Sequence, residues 1–143
     1  MTQADFEKLY QDHVAQTQSA VSRVKDAKPQ PTVVFDFDGV IHSYTSGWKG
    51  DTVIPDPPVP GIAEAIKEIS KNYRVVVVST RCSTQEGVLA IANYLGEHGI
   101  FGVSDITAEK PAAVCYIDDR AICFDGNSST LLDKIKNFKP WNR

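Results

Sequence analysis

The fold is decided by the stretch Thr32-Val33-Val34-Phe35-Asp36-Phe37-Asp38-Gly39-Val40. The run from Thr32 to Phe37 is compact, β-branched and aromatic, and ends in carboxylates, so it reads as a buried strand. Asp36 and Asp38 flank Phe37. Strand alternation therefore points both carboxylates the same way and turns Phe37 into the core. Two like charges so close need a cation or a shared proton. The plainer reading of such a pair is a strand-terminal cap on a neighbouring turn, and the rest of the chain decides between the two.

Upstream, Phe6, Leu9, Tyr10, His13, Val14, Thr17, Val21 and Val24 recur at three- and four-residue spacing, so Ala4 to Asp26 is expected as an amphipathic helix. Lys28-Pro29-Gln30-Pro31 ends it. Downstream, helix spacing over Gly61 to Lys71 precedes a strand at Arg74 to Val78, and Thr84 to Gly96 is a further helix with Glu86 near its N-terminus. Gly102 to Ser104, Ala113 to Ile117 and Ile122 to Phe124 read as three more strands, and Ser129 to Asn137 as a last helix. Strands alternating with helices imply a parallel sheet in a layered α/β domain. The expected organisation is an N-terminal amphipathic helix in residues 1–30 followed by one domain in residues 31–143.

Between them, Val40 to Pro60 is rich in Gly, Ser and aromatics and then holds Pro55, Pro57, Pro58 and Pro60. It is expected as a stiffened loop or hairpin beside the first strand's end, where ligands of parallel sheets bind. It is too short for a domain of its own, which needs about 50 residues. Later strand ends also finish in polar groups. These are Ser79, Thr80 and Arg81 after the second strand, Lys110 before the fourth, and Asp118 with Asp119 after it. Parallel strands bring such ends to one edge, where two carboxylate pairs, a hydroxyl and an ammonium are what Mg2+ and a phosphoryl group together require.

Composition sets outer bounds. The 143 residues are 42% apolar and 23% charged, with 18 acids against 15 bases, which excludes neither a continuous core nor a small-molecule ligand but gives no basic track for long nucleic acid. Cys82, Cys115 and Cys123 show no pairing pattern and read as free thiols of a reducing compartment, the last two as small core residues. No apolar stretch is long enough to cross a bilayer and the first residues do not read as a signal peptide, so no membrane is expected as partner and the expected location is cytoplasmic.

At these motifs the sequence resembles the haloacid dehalogenase (HAD) superfamily of phosphotransferases, through Val33 to Val40, Val75 to Ser79, Lys110-Pro111 and Tyr116-Ile117-Asp118-Asp119. The resemblance covers Pro31 to about Phe124 and implies a three-layer, doubly wound, Rossmann-like parallel sheet of five strands in the order 5-4-1-2-3, without a cap domain. It makes Asp36 the nucleophile and a magnesium ligand. Asp38 becomes the acid that protonates the leaving oxygen and later activates water, and a further ligand through its backbone carbonyl. Ser79 would bond a phosphoryl oxygen, Lys110 would offset charge, and Asp118 and Asp119 would complete the metal site, with Asp119 favoured as the closer ligand. An Asp two residues after the nucleophile argues for phosphate esters over carbon–halogen bonds.

His42, Tyr44, Trp48 and Lys49 lie in the loop that the family uses as a flap, which makes them candidates for substrate contact, as are Thr80 and Arg81; Arg81 and Arg120 suit a second anionic group. The plainer readings are loop anchors and surface charges. The substrate is left open among nucleotides, phosphorylated nucleic acid ends and small phosphometabolites. Capless relatives often let a neighbouring subunit cover the site, and the N-terminal helix is the candidate for such a homodimer. Two competing readings are a phosphoryl-accepting receiver domain, whose acidic pair opens the sheet instead of closing it, and a catalytically silent binding module on the same fold.

Overall fold

The computed structural model describes residues 2–26 and 30–142, and the side chains of all of these except 17–26. The chain divides into two units, Met1–Gln30 and Pro31–Arg143. The first holds α1 (Gln3–Asp26). Its start is closed reciprocally: the Thr2 amide donates to Asp5 Oδ2 at 2.9 Å and the Asp5 amide to Thr2 Oγ1 at 3.1 Å. These satisfy two of the donors that a helix N-terminus leaves open. Phe6, Leu9 and Tyr10, the expected apolar face, are exposed. The expected stop at Lys28-Pro29 lies outside the described residues.

The second unit is α/β. Its elements run β1 (Thr32–Asp36), α2 (Ile62–Ile69), β2 (Arg74–Val78), α3 (Gln85–Glu97), β3 (Val103–Thr107), β4 (Cys115–Ile117) and α4 (Leu131–Lys136). The four strands form one all-parallel sheet in the order β3-β2-β1-β4. Phe35 pairs in register with Val77 on one side and Ile117 on the other, so the carboxyl ends of β1, β2 and β4 share one edge. Val33, Phe35, Val75 and Val77 on one sheet face pack with Ile66 of α2 and Ile91, Tyr94 and Leu95 of α3. Phe37 is fully buried in that core, as alternation past Asp36 and Asp38 requires.

Two strand expectations are corrected. Ile122 to Phe124 is not a strand; those residues are irregular and Phe124 is exposed. Only residues 118–121 separate it from β4, and a parallel neighbour needs a crossover of roughly a dozen residues or more. The sheet consequently has four strands among the described residues instead of five. β3 runs on to Thr107, past the expected Ser104, because an edge strand accepts outward polar residues such as Asp105. β4 is exposed at all three positions, so Cys115, and likewise Cys123 beyond it, is exposed instead of a core residue. No inserted domain interrupts the described part of the second unit, and among the described residues no helix is long and apolar enough to cross a membrane.

Candidate metal centre

After β1 the chain turns back on itself at once. The Phe37 carbonyl accepts from the amides of Val40, Ile41 and His42, and Gly39, at φ +84°, donates its amide to the His42 carbonyl. A Cβ on Gly39 would stand 2.0 Å from Asp119 Oδ2, so the glycine is required both by its left-handed backbone and by the acid that fills its place. Asp119 thereby approaches β1. Asp118 caps the turn out of β4 by accepting from the Arg120 amide at 2.9 Å. Carboxylate oxygens of Asp36, Asp118 and Asp119 all lie within 4.8 Å of one another.

The crowding is electrostatically costly. Asp36 is pushed up to about 8, first by burial, then by the Asp118 charge and a hydrogen bond shared with Asp119. Asp119 Oδ1 is buried and receives no hydrogen bond, an unmet acceptor of the kind a cation or ordered water satisfies. Three hard oxygen donors with one orphaned lone-pair group fit Mg2+, which takes carboxylates and keeps waters.

Asp38 does not belong to that cluster; its carboxylate faces the Arg81 guanidinium and the His42 ring. Arg81 Nε donates to Oδ2 at 2.8 Å and Nη2 to Oδ1 at 3.1 Å, and His42 Nδ1 bonds Oδ1 at 2.8 Å. Burial pushes the Asp38 carboxyl up, but the His42 and Arg81 hydrogen bonds outweigh it and hold Asp38 below the ordinary range. The Asp56 amide donates to His42 Nε2 at 3.1 Å. That nitrogen is thus the acceptor, which leaves the proton on Nδ1, facing Asp38.

An open cleft of about 260 Å3 is lined by Asp36, Asp38, Tyr44, Trp48, Ser79, Thr80, Asp118, Asp119 and Arg120. Larger clefts, of about 440 Å3 between Ile54 and α3 and about 460 Å3 beside α2, hold no such carboxylate group. Of the residues expected at the site, the structure brings Asp36, Asp38, Tyr44, Trp48, Ser79, Thr80, Asp118, Asp119 and Arg120 together. It does not bring four others, Arg81, His42, Lys49 and Lys110, into the cleft lining. Arg81 and His42 are fully buried. Arg81 Nη1 is committed to the carbonyls of Gly50, Asp51 and Val53, so Arg81 fastens the loop to Asp38 and has no free edge for a substrate anion. Lys49 is exposed and away from the cleft lining.

Lys110 also stands off the cleft. The connection over residues 108–114 is held to β4 through Tyr116, whose hydroxyl donates to the Pro111 carbonyl at 2.6 Å, and this sets Lys110 Nζ 3.9 Å from the Tyr116 ring centre. Sequence reasoning missed Asp56, which takes the Ser46 amide at 2.8 Å and a bond from its hydroxyl, and the C-terminal tail. Trp141 Nε1 donates to the Gly39 carbonyl at 2.7 Å and Asn142 Nδ2 to that of Ser43 at 3.0 Å. Neither carries a local pattern; Pro55-Asp56-Pro57 was legible only as loop chemistry.

Comparison of the chain with family models, curated proteins and solved structures gave no match.

Proposed function

We propose that the chain is a magnesium-dependent phosphomonoester hydrolase of the HAD kind, acting through an aspartyl-phosphate on Asp36. The observation that carries this reading is the convergence of Asp36, Asp118 and Asp119 at the edge where β1, β2 and β4 end, with Ser79 and Thr80 in the same cleft. Mg2+ held by the three carboxylates would supply charge neutralisation for an anionic substrate. The order β3-β2-β1-β4 supports the reading as the 4-1-2-3 portion of the doubly wound, three-layer arrangement that the resemblance implies.

In the first step an Asp36 carboxylate oxygen bonds to phosphorus, the ester oxygen leaves with the bonding pair, and it takes a proton from Asp38. In the second, water attacks the same phosphorus, its proton passes to Asp38, and inorganic phosphate leaves Asp36 as carboxylate. The Arg81 fork and the His42 bond aim Asp38 and lower its pKa, which makes its protonated form the stronger acid in the first step and leaves the anion to take up the proton of water in the second. Ser79, a buried residue of the cleft, positions a phosphoryl oxygen. Lys110 joins by leaving the Tyr116 ring. An exposed cation–π contact is worth about 0.5–1 kcal/mol, less than the ~1.5–3 kcal/mol of a charged hydrogen bond.

The substrate is a phosphorylated small molecule or nucleic acid end, the setting is the cytoplasm, and α1 is the element that pairs two copies. The test is phosphate release from a panel of nucleotides, sugar phosphates and phosphorylated oligonucleotides, with Mg2+ and with chelator, for the wild type and Asp36→Asn. Turnover that needs the metal and disappears with the substitution supports the proposal. Turnover retained by Asp36→Asn sinks it.

A further inference from the structure

The cleft has a carboxylate wall and an aromatic one. Tyr44 and Trp48 line it together with Asp36, Asp118 and Asp119. The Arg81 guanidinium lies over the Trp48 ring, 4.7 Å from its centre, while the residue is still 52% exposed. Arg81 is itself fixed by its fork to Asp38 and by three loop carbonyls. The indole is therefore placed relative to the nucleophile before a substrate arrives, and stacking on it forfeits little side-chain freedom. A residue serving only to anchor the loop would bury its ring. Tyr44, across the loop, is the only non-glycine with positive φ among the described residues, at 62°.

The rim of the same cleft is polar. Thr80 and Arg120 line it, both exposed, and Arg120 has no ion pair among the described residues. A hydroxyl and a guanidinium suit the acceptor-rich edge of a nucleobase, and have nothing to bond on the bare edge of a phenyl ring. The net charge of −3 opposes a long polyanion and tolerates one phosphate.

Resting on the hydrolase reading, we propose that Trp48 is a stacking platform for a nucleobase and that the substrate class is the nucleoside monophosphates, with Arg120 and Thr80 at the base edge. By this assignment the loop selects the leaving group and the carboxylates act on the phosphoryl group.

The test is calorimetric binding of a nucleoside monophosphate, ribose 5-phosphate, phenyl phosphate and a 5′-phosphorylated oligonucleotide to Asp36→Asn in Mg2+, with turnover of the same four by the wild type. Stacking on an aromatic side chain changes affinity about ten- to hundredfold. The mononucleotide is expected to bind that much more tightly than ribose 5-phosphate. Trp48→Ala is expected to erase the preference, and Trp48→Phe, with an unchanged far-UV spectrum, to keep most of it. Equal affinity for all four, or a preference untouched by Trp48→Ala, overturns the platform, and tightest binding of the oligonucleotide or phenyl phosphate overturns the substrate class. The two readings fail separately. Equal turnover of nucleotide and sugar phosphate leaves the hydrolase standing without the platform, whereas Trp48-dependent nucleotide binding with no turnover leaves the platform standing without the hydrolase.

Discussion

Arg81 grips both carboxylate oxygens of Asp38, at 2.8 and 3.1 Å, across 43 positions of sequence, and neither its charge nor its planar fork faces solvent. The pair joins the end of β1 to the turn after β2 and, through Arg81 Nη1, to the loop over the cleft.

Breaking that pair leaves a buried charge without its partner. Arg81→Met is expected to lower unfolding free energy by about 3–5 kcal/mol. Arg81→Lys keeps the charge but loses the fork and is expected to cost less, though still more than about 1 kcal/mol. Denaturant unfolding checks both; a loss under about 1 kcal/mol for Arg81→Met would show that the contact is not what holds the loop.

Gly39→Ala introduces a methyl group where Asp119 Oδ2 stands, at a backbone angle that disfavours side chains by about 1–2 kcal/mol. Asp119 must retreat from Asp36. The expected outcome is at least a tenfold weaker Mg2+ affinity by calorimetry with a fall in melting temperature of a few degrees; unchanged Mg2+ affinity would separate Asp119 from the metal.

The raised carboxyl of Asp36 gives a pH dependence with a definite sign. Its folded value, about 8, lies above the ordinary 3.8, so the stability it contributes is present in full below about 4 and is lost as pH rises through 8. In chelator, the wild type is expected to melt lower at pH 9 than at pH 6. Asp36→Asn should show a smaller drop and a higher melting temperature at pH 9. Because the metal takes the anion, Mg2+ affinity of the wild type should rise over the same interval. Melting curves at the two pH values check this, and parallel drops in both proteins would contradict the crowding of Asp36 by Asp118 and Asp119.

On the proposed mechanism Lys110 leaves the Tyr116 ring, where it stands 3.9 Å from the ring centre, to meet the phosphoryl group. Lys110→Met is expected to reduce kcat by about 100-fold or more, as loss of an electrostatic stabiliser does. Tyr116→Leu, which removes only the resting contact, should change kcat less than about threefold. Steady-state rates decide, and the reverse order would assign Lys110 to holding β4.

Much of this was legible because strand alternation acts residue by residue: Asp36 and Asp38 around Phe37, and polar groups closing β2 and β4, follow from a period of two and a parallel sheet. The fifth strand failed on connection length, which an apolar triplet such as Ile122 to Phe124 does not reveal. Arg81 reads from sequence as a contact for a substrate anion or as a surface charge because its actual partners, Asp38 and the carbonyls of Gly50, Asp51 and Val53, are distant in sequence. The same holds for Trp141 on Gly39 and Asn142 on Ser43, contacts across about a hundred positions that no local pattern encodes. Motif order places Lys110 at the site, whereas its observed position on the Tyr116 ring follows from the short path between β3 and β4.

The central claim is that Asp36 carries the phosphoryl group. Rapid acid quench of wild type with a turned-over, phosphorus-labelled substrate in Mg2+, followed by peptide mapping, tests it most directly. The expected result is label on the peptide holding Asp36, lost at alkaline pH as an acyl phosphate and absent from Asp36→Asn. Turnover without protein-bound label, or label that persists in Asp36→Asn, would contradict the account.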